Sequence, residues 1–119
     1  MGVIHIIDDD DLYRKVIVEV IRAFGFSTSE FSSGCSYLQH MRGNQYKPPQ
    51  MIFSDMNMPG ITGLDTLTQV LNRHPGIPCY LITANPTQFK RINLSEYAIK
   101  GVLEKPVCFE KLRGLLPLQ

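Results

Sequence analysis

The first structural signal in the chain is Val3-Ile4-His5-Ile6-Ile7-Asp8-Asp9-Asp10-Asp11, where a nearly continuous apolar run leads directly into four acidic residues. A continuous run, unlike an alternating one, is typical of a strand that is covered on both faces. Comparable runs recur further along the chain, the first of them weaker, at Ser27–Phe31, Met51–Phe53, Ile77–Ile82 and Val102–Leu103. We therefore predict five short strands, most of them buried on both faces.

Helical patterns lie between these strands. The clearest one follows the acidic run and ends before Gly25, which is a suitable residue just beyond a helix. Its apolar residues recur with helical spacing at Leu12, Tyr13, Val16, Ile17, Val20, Ile21 and Phe24. A second helix is predicted around residues 37–41, with Ser33 as its N-cap and Gly43 at its end.

The second half of the chain is less regular. Residues 64–71 predict a third helix, and residues 109–116 predict a last one that is broken at Pro117. Residues 85–100 keep no clean period, so we expect a short, frayed or displaced helix there. Residues 43–50 contain two consecutive prolines and are expected to form an exposed, irregular loop.

Alternation of strands and helices predicts an α/β fold, with a parallel sheet, right-handed crossovers and helices on both faces. The length of 119 residues predicts one domain that covers residues 1–119. Hydrophobic residues make up 44% of the chain, which excludes global disorder, and the net charge of +1 argues against a dedicated nucleic-acid binder. No apolar run approaches the ~18 residues of a membrane span, and no basic signal-peptide region is evident. Three cysteines without a Cys-x-x-Cys pair are typical of a reduced, cytoplasmic protein.

Polar residues follow the predicted strands at the end where a ligand site is expected. In open parallel sheets, ligands bind beyond the carboxyl ends of the strands, where the strand order reverses. Asp8 and Asp9 follow the first strand, and Asp55 follows the third. Thr83 ends the fourth strand, and Lys105 follows the fifth. We therefore expect three carboxylates, a hydroxyl and an ammonium group at one edge of the sheet.

This group of residues suits phosphoryl transfer. Carboxylates held close together need a cation, and Mg²⁺ binds carboxylates together with water and phosphate oxygens. The charges of Mg²⁺ and Lys105 balance those of the three aspartates, so the site is able to accept a phosphoryl group. A carboxylate can attack phosphorus to form an aspartyl phosphate, while the cations stabilise the phosphoryl oxygens.

The same residues also have ordinary structural interpretations. Asp10 or Asp11 is expected to cap the first helix. Taken singly, the other residues also fit structural roles: a first helical turn for Asp8 and Asp9, a loop turn for Asp55, a strand end for Thr83 and a solvated surface for Lys105. Only their combination favours chemistry over structure.

Four short motifs occur in the order and at the approximate spacing of a known family. The most specific is Asp55-Met56-Asn57-Met58-Pro59-Gly60-Ile61-Thr62-Gly63, which fits the pattern D-x-x-M-P-x-x-x-G. The other three are the pairs Asp8-Asp9, Thr83-Ala84 and Lys105-Pro106. By these motifs, nearly the whole chain resembles a receiver domain of two-component response regulators. The resemblance implies a flavodoxin-like, doubly wound sheet of five βα units with strand order 2-1-3-4-5.

The resemblance implies a metal-dependent phosphoacceptor. Asp55 is the expected acceptor of the phosphoryl group. Asp9 and Asp55 are expected to hold Mg²⁺ (or Mn²⁺) through their side chains, Asp8 through a water molecule and Asn57 through its backbone carbonyl. Magnesium is thus the cofactor that the resemblance implies for this site.

The resemblance also implies groups that surround the phosphoryl oxygens. Thr83 is expected to hydrogen-bond the phosphoryl group and to move on activation, and Lys105 is expected to pair with its oxygens. The small Ala84 would leave access to the acyl phosphate. The Lys105–Pro106 peptide bond is expected to be cis.

Some positions depart from the usual pattern or vary within the family. Val102 stands at the switch position, where the family usually has an aromatic residue. Asn57 and Asn85 stand at positions that tune the lifetime of the phosphoryl group. Val102 and the irregular fourth helix leave open a binding module that has lost switching. A third hypothesis, an aspartate-nucleophile phosphatase, needs a general acid where this chain has Asn57.

The leading hypothesis is a phosphorylation switch and not an enzyme that turns over an external substrate. The expected phosphoryl donor is a histidine kinase or a phosphotransfer domain. The expected recipient of the signal is a downstream effector or a fused output domain, although no output domain is expected within this chain. We expect no direct binding to nucleic acid or membrane. The hypothesis also allows a dimer that forms on phosphorylation.

Overall fold

Five strands alternate with helices in a computed structural model that describes residues 2–90 and 92–117. The strands are β1 (Val3–Ile7), β2 (Ser27–Phe31), β3 (Met51–Asp55), β4 (Cys79–Thr83) and β5 (Gly101–Glu104). The α-helices are α1 (Asp11–Ala23), α2 (Gly34–Met41), α3 (Gly63–Arg73) and α4 (Phe109–Leu115). The two limits of the predicted domain, residues 1 and 119, lie outside the described residues.

The strands form one parallel sheet in the order β2-β1-β3-β4-β5, which confirms the predicted topology. The chain leaves β1 for β2 on one side and returns to β3 on the other. The strand order therefore reverses between β1 and β3, and the carboxyl ends of these two strands diverge around a crevice. Asp55 lies at the last position of β3, where it pairs in register with Ile82 of β4.

Helices cover both faces of the sheet. One core cluster joins alternate residues of the central strands, such as Ile4 and Phe53, to α1 and α4. The other joins the intervening residues, such as Ile7 and Ile52, to α2 and α3. Strands buried on both faces explain why their sequences read as continuous apolar runs. In the described part of the chain, no helix has the length and apolarity needed to cross a membrane.

Polar side chains fix where the helices begin. Asp10, and not Asp11, is the N-cap of α1, because its carboxylate accepts a hydrogen bond from the Tyr13 backbone N–H at 3.1 Å. Ser33 caps α2 as predicted and accepts a hydrogen bond from the Ser36 N–H at 3.0 Å. The first helix ends before Gly25, whose φ of 99° is a backbone conformation that favours glycine.

The segment between β4 and β5 differs most from expectation. Its described part forms two short 3₁₀ helices, Pro86–Phe89 and Leu94–Tyr97, in place of a fourth crossover α-helix. The first has a proline in its opening turn and no side-chain cap, and the second ends at Ala98 with a φ of 61°. Among the described residues, four of the five expected βα units are present, and a 3₁₀ connection precedes β5.

Some residues of the predicted apolar faces are exposed. Leu12 is 79% exposed and Val16 is 44% exposed on α1, and Phe109 is 49% exposed at the start of α4. The helical pattern of α1 covers a wider arc than the sheet can bury, so the contact face centres on Ile17 and Ile21. Residues 43–50 form no helix or strand, as predicted, and most of them are exposed, although Pro49 is buried.

Candidate functional site

Three carboxylates meet at the crevice where the strand order reverses. Asp8 and Asp9 follow β1, and Asp55 ends β3. One carboxylate oxygen from each residue lies within 4.8 Å of those of the other two. Asp8 and Asp55 are buried and Asp9 is exposed, so the cluster has an inner wall and an open side. An all-oxygen cluster with access to water fits the ligand preference of Mg²⁺.

A lysine that follows β5, an edge strand of the sheet, lies against this cluster. The Lys105 ammonium is 3.2 Å from Asp8 Oδ2 and 3.5 Å from Asp55 Oδ1, and it lies 4.7 Å from the centre of the Tyr13 ring. The Lys105 backbone N–H donates to the Thr83 carbonyl at 2.8 Å, which ties this residue to the end of β4, and the peptide bond to Pro106 is cis. The resemblance implied this cis isomer.

The electrostatics of the site favour a further cation. Burial, together with the negative charge of Asp8, raises the pKa of Asp55 to about 6, and the nearby Lys105 only partly opposes this rise. Burial by itself lowers the pKa of Lys105, but the charges of Asp8 and Asp55 outweigh that effect, so the pKa is raised. The lysine is therefore a fixed cation, and the carboxylates still carry unbalanced negative charge.

The Thr83 hydroxyl lies at the next strand end and is fully buried. It accepts hydrogen bonds from the Asn85 backbone N–H at 3.0 Å and from Asn57 Nδ2 at 3.3 Å. It donates to Gln88 Oε1 at 2.9 Å. Ala84 is exposed beside it, so a small side chain borders the open side of the site.

The structure therefore brings together Asp8, Asp9, Asp55, Thr83 and Lys105, as the strand ends predicted. Val102 pairs in register with Leu81, two positions before Thr83, and is half-buried and packed against the core cluster of α2 and α3. The sequence reasoning missed two contributors. Tyr13 was assigned only to the apolar face of α1, although its hydroxyl also accepts the Val107 N–H at 2.7 Å. Gln88 lies in the segment without a helical period, so no pattern pointed to it.

A doubly wound parallel sheet with three aspartates, a threonine and a lysine at its switch point is the arrangement that the resemblance to receiver domains implies. Comparison with known families agrees: the model of the response regulator receiver domain matches residues 4–116. The chain therefore belongs to the response regulator receiver domain family.

Individual relatives show how much of each protein is shared. The DNA-binding transcriptional regulator NtrC of Escherichia coli is 29% identical over 115 residues, which are 97% of this chain and 24% of NtrC. The chemotaxis protein CheY of Pseudomonas aeruginosa is 28% identical over 113 residues, which are 92% of this chain and 89% of CheY. The chain thus spans about a quarter of NtrC and most of CheY.

A solved structure supports the fold. The response regulator protein TrrA of Thermotoga maritima, crystallised in complex with Mg(2+)-BeF, superposes with a TM-score of 0.79 at 23% identity. The superposition covers 96% of this chain and 95% of TrrA. At this level of identity, the agreement concerns the fold.

Proposed function

We propose that Asp55 is the phosphoacceptor of a two-component signalling switch. The observation that carries this proposal is the buried Asp55 carboxylate, which shares one crevice with two further aspartates and the Lys105 ammonium. In the reaction, a carboxylate oxygen of Asp55 bonds to phosphorus as the P–N bond of a phosphohistidine breaks. The departing imidazole keeps the bonding electron pair and takes up a proton, and an acyl phosphate remains on Asp55.

The proposed cofactor is Mg²⁺, with Mn²⁺ as a substitute. Asp9 and Asp55 hold it through carboxylate oxygens, Asp8 through a water molecule and Asn57 through its backbone carbonyl. The bound ion supplies charge neutralisation for the carboxylates and the phosphoryl oxygens. The clustering of the three carboxylates and the Mg(2+)-BeF complex of TrrA support this assignment.

The other residues of the site surround the phosphoryl group. Lys105, already aimed at Asp55, pairs with a phosphoryl oxygen, and the Thr83 hydroxyl donates a hydrogen bond to another. Ala84 leaves a path for the donor to reach Asp55. Asn57 and Asn85 border this path and set how readily water attacks the acyl phosphate.

The switch acts on other molecules and turns over no substrate of its own. The Asn57 amide is not acidic enough to act as a general acid, which disfavours steady phosphatase activity. The partners we propose are a histidine kinase or phosphotransfer domain as donor, and an effector or output domain as recipient. We propose a cytoplasmic location, one domain over residues 1–119, and no direct contact with nucleic acid or membrane. A dimer that depends on phosphorylation is compatible with this scheme.

Intact mass spectrometry tests the proposal. The protein is incubated with acetyl phosphate with and without Mg²⁺, beside the variants Asp55→Asn and Asp65→Asn. We expect the wild type and Asp65→Asn, which changes an exposed residue of α3, to gain one phosphoryl group only with Mg²⁺. Asp55→Asn is expected to gain none. A folded wild type that gains no phosphoryl group in Mg²⁺ would instead support a binding module without switching.

A further inference from the structure

The Gln88 side chain reaches into the site from the first 3₁₀ helix, Pro86–Phe89. Its Oε1 accepts hydrogen bonds from Thr83 Oγ1 at 2.9 Å and from Asn57 Nδ2 at 3.3 Å. Its Nε2 donates to Asn57 Oδ1 at 3.4 Å. Gln88 and Asn57 thus form a paired amide contact that closes over the threonine hydroxyl.

A count of donors and acceptors shows what this contact does to Thr83. A hydroxyl has one hydrogen to donate and two lone pairs that accept. Both accepting directions of Thr83 Oγ1 are used, by the Asn85 N–H and by Asn57 Nδ2. Its single hydrogen is used by Gln88 Oε1. The hydroxyl therefore has no hydrogen to donate to a phosphoryl oxygen until its hydrogen bond to Gln88 breaks.

We propose that Gln88 is a positioning residue that holds the Thr83 hydroxyl in the unphosphorylated state and competes with the phosphoryl group for its hydrogen. This inference rests on the proposed function, because it needs an acyl phosphate on Asp55 as the competitor. Phosphorylation shifts the hydrogen bond that the Thr83 hydroxyl donates from Gln88 Oε1 to a phosphoryl oxygen. The paired amide contact between Gln88 and Asn57 then opens.

The exchange also offers a route from the site to the surface. The 3₁₀ helix that carries Gln88 has no side-chain cap, and its described backbone hydrogen bonds are as long as 3.3 Å. Its last residue, Phe89, is only partly buried against the core cluster of α2 and α3. Release of Gln88 removes the polar contacts of this turn with the site. The turn can then shift without an aromatic residue at position 102.

The test begins with the variant Gln88→Met, which keeps the length of the side chain and removes its hydrogen bonds. We expect its initial phosphorylation rate with limiting acetyl phosphate and Mg²⁺ to rise by about 2- to 10-fold, which is the range for one net hydrogen bond. The decay rate after donor removal is expected to be unchanged, because Gln88 has already been released from Thr83 and Asn57 in the phosphorylated protein. Gln45→Met, at an exposed loop position, is the matched control and is expected to behave as wild type.

A double-mutant cycle separates this role from a general structural one. In a Thr83→Val background, the hydroxyl is absent, so Gln88→Met is expected to cause no further increase in rate. An increase that persists in this background, or no increase in the wild-type background, overturns the role of Gln88 and leaves the proposed function standing. No labelling of the folded wild type overturns both.

Nuclear magnetic resonance supplies a readout that needs no variant at Gln88. In the wild type, the Gln88 side-chain amide resonances are expected to shift when acetyl phosphate and Mg²⁺ are added together. In Asp55→Asn, the same addition is expected to leave them in place. Unmoved Gln88 amide resonances in a fully phosphorylated wild type would overturn the proposal.

Discussion

The surroundings that suit Asp55 to accept a phosphoryl group also destabilise the ionised form of its carboxyl group. The residue is 6% exposed and its carboxylate shares a crevice with Asp8, so its ionised form is disfavoured and its pKa is raised to about 6. Lys105 offsets part of this effect at 3.5 Å. A cation or a phosphoryl group with its cation relieves the remaining imbalance. The surroundings of Asp55 therefore lower the stability of the folded protein and favour the reaction of this residue with a phosphoryl group.

Asp55→Asn is expected to stabilise the metal-free protein at neutral pH. Between the ordinary pKa of 3.8 and the raised value of about 6, the folded state binds more protons than the unfolded state, so the free energy of unfolding falls as pH rises. The loss is complete above that window and amounts to about 1 to 3 kcal/mol. Asparagine avoids it, so urea unfolding is expected to show the gain at pH 7.5 and none near pH 4. A variant that is less stable than wild type at pH 7.5 would contradict this account of the site.

At this scale, the sequence predicted the charged residues and the neutral Thr83 at the strand ends, and it missed Gln88. Asp8, Asp55 and Lys105 stand at strand ends, so the strand pattern alone brought them together. Gln88 contacts Asn57, from which it is 31 positions away in the chain, and it lies in a segment without a helical period. Its contact depends on the path of an irregular loop, which no local pattern encodes.

The loop between β3 and α3 is the element that most tightly constrains the site. Gly63 opens α3 directly against the strand end, and its backbone N–H donates to the Met56 carbonyl at 2.8 Å. A Cβ at position 63 would lie 2.1 Å from the Asp55 carbonyl oxygen. Only glycine allows the helix to approach the phosphoacceptor this closely. The last glycine of the sequence motif thus has a packing role.

Gly63→Ala is therefore expected to destabilise the protein by about 1 to 3 kcal/mol or more, because backbone must move to admit the methyl group. The matched control is Gly114→Ala in α4, where an added Cβ meets no heavy atom within 4 Å. This control is expected to be neutral or stabilising by up to about 1 kcal/mol. Urea unfolding of both variants measures the difference. Equal stability of the two variants would show that the loop can relax.

Element boundaries were predictable where a cap or a glycine marks them. Ser33 and Gly25 marked the start of α2 and the end of α1, and the structure places both boundaries there. The fourth connection has a proline at its start and lacks apolar spacing, and its described residues form two 3₁₀ helices that no pattern predicted. The exposure of Leu12 was not predictable, because helical spacing does not say how much of an apolar arc the sheet covers.

At the scale of the molecule, the parallel sheet turns sequence distance into proximity. Asp8 and Lys105 lie 97 positions apart in the chain and 3.2 Å apart in space. Every strand runs in the same direction, so all carboxyl ends share one edge, and the reversal of strand order opens the crevice there. This is why order and spacing of short motifs were enough to predict both the fold and the location of the site.

The central claim is that the phosphoryl group is carried by Asp55 and not by Asp8 or Asp9. The most direct test is to phosphorylate the wild type with acetyl phosphate and Mg²⁺, reduce the product with borohydride, and map the peptides by mass spectrometry. Because borohydride converts an acyl phosphate to an alcohol, we expect homoserine at position 55 and unmodified aspartate at positions 8 and 9. Homoserine at position 8 or 9, or at none of the three positions in a protein that binds Mg²⁺, would contradict the account.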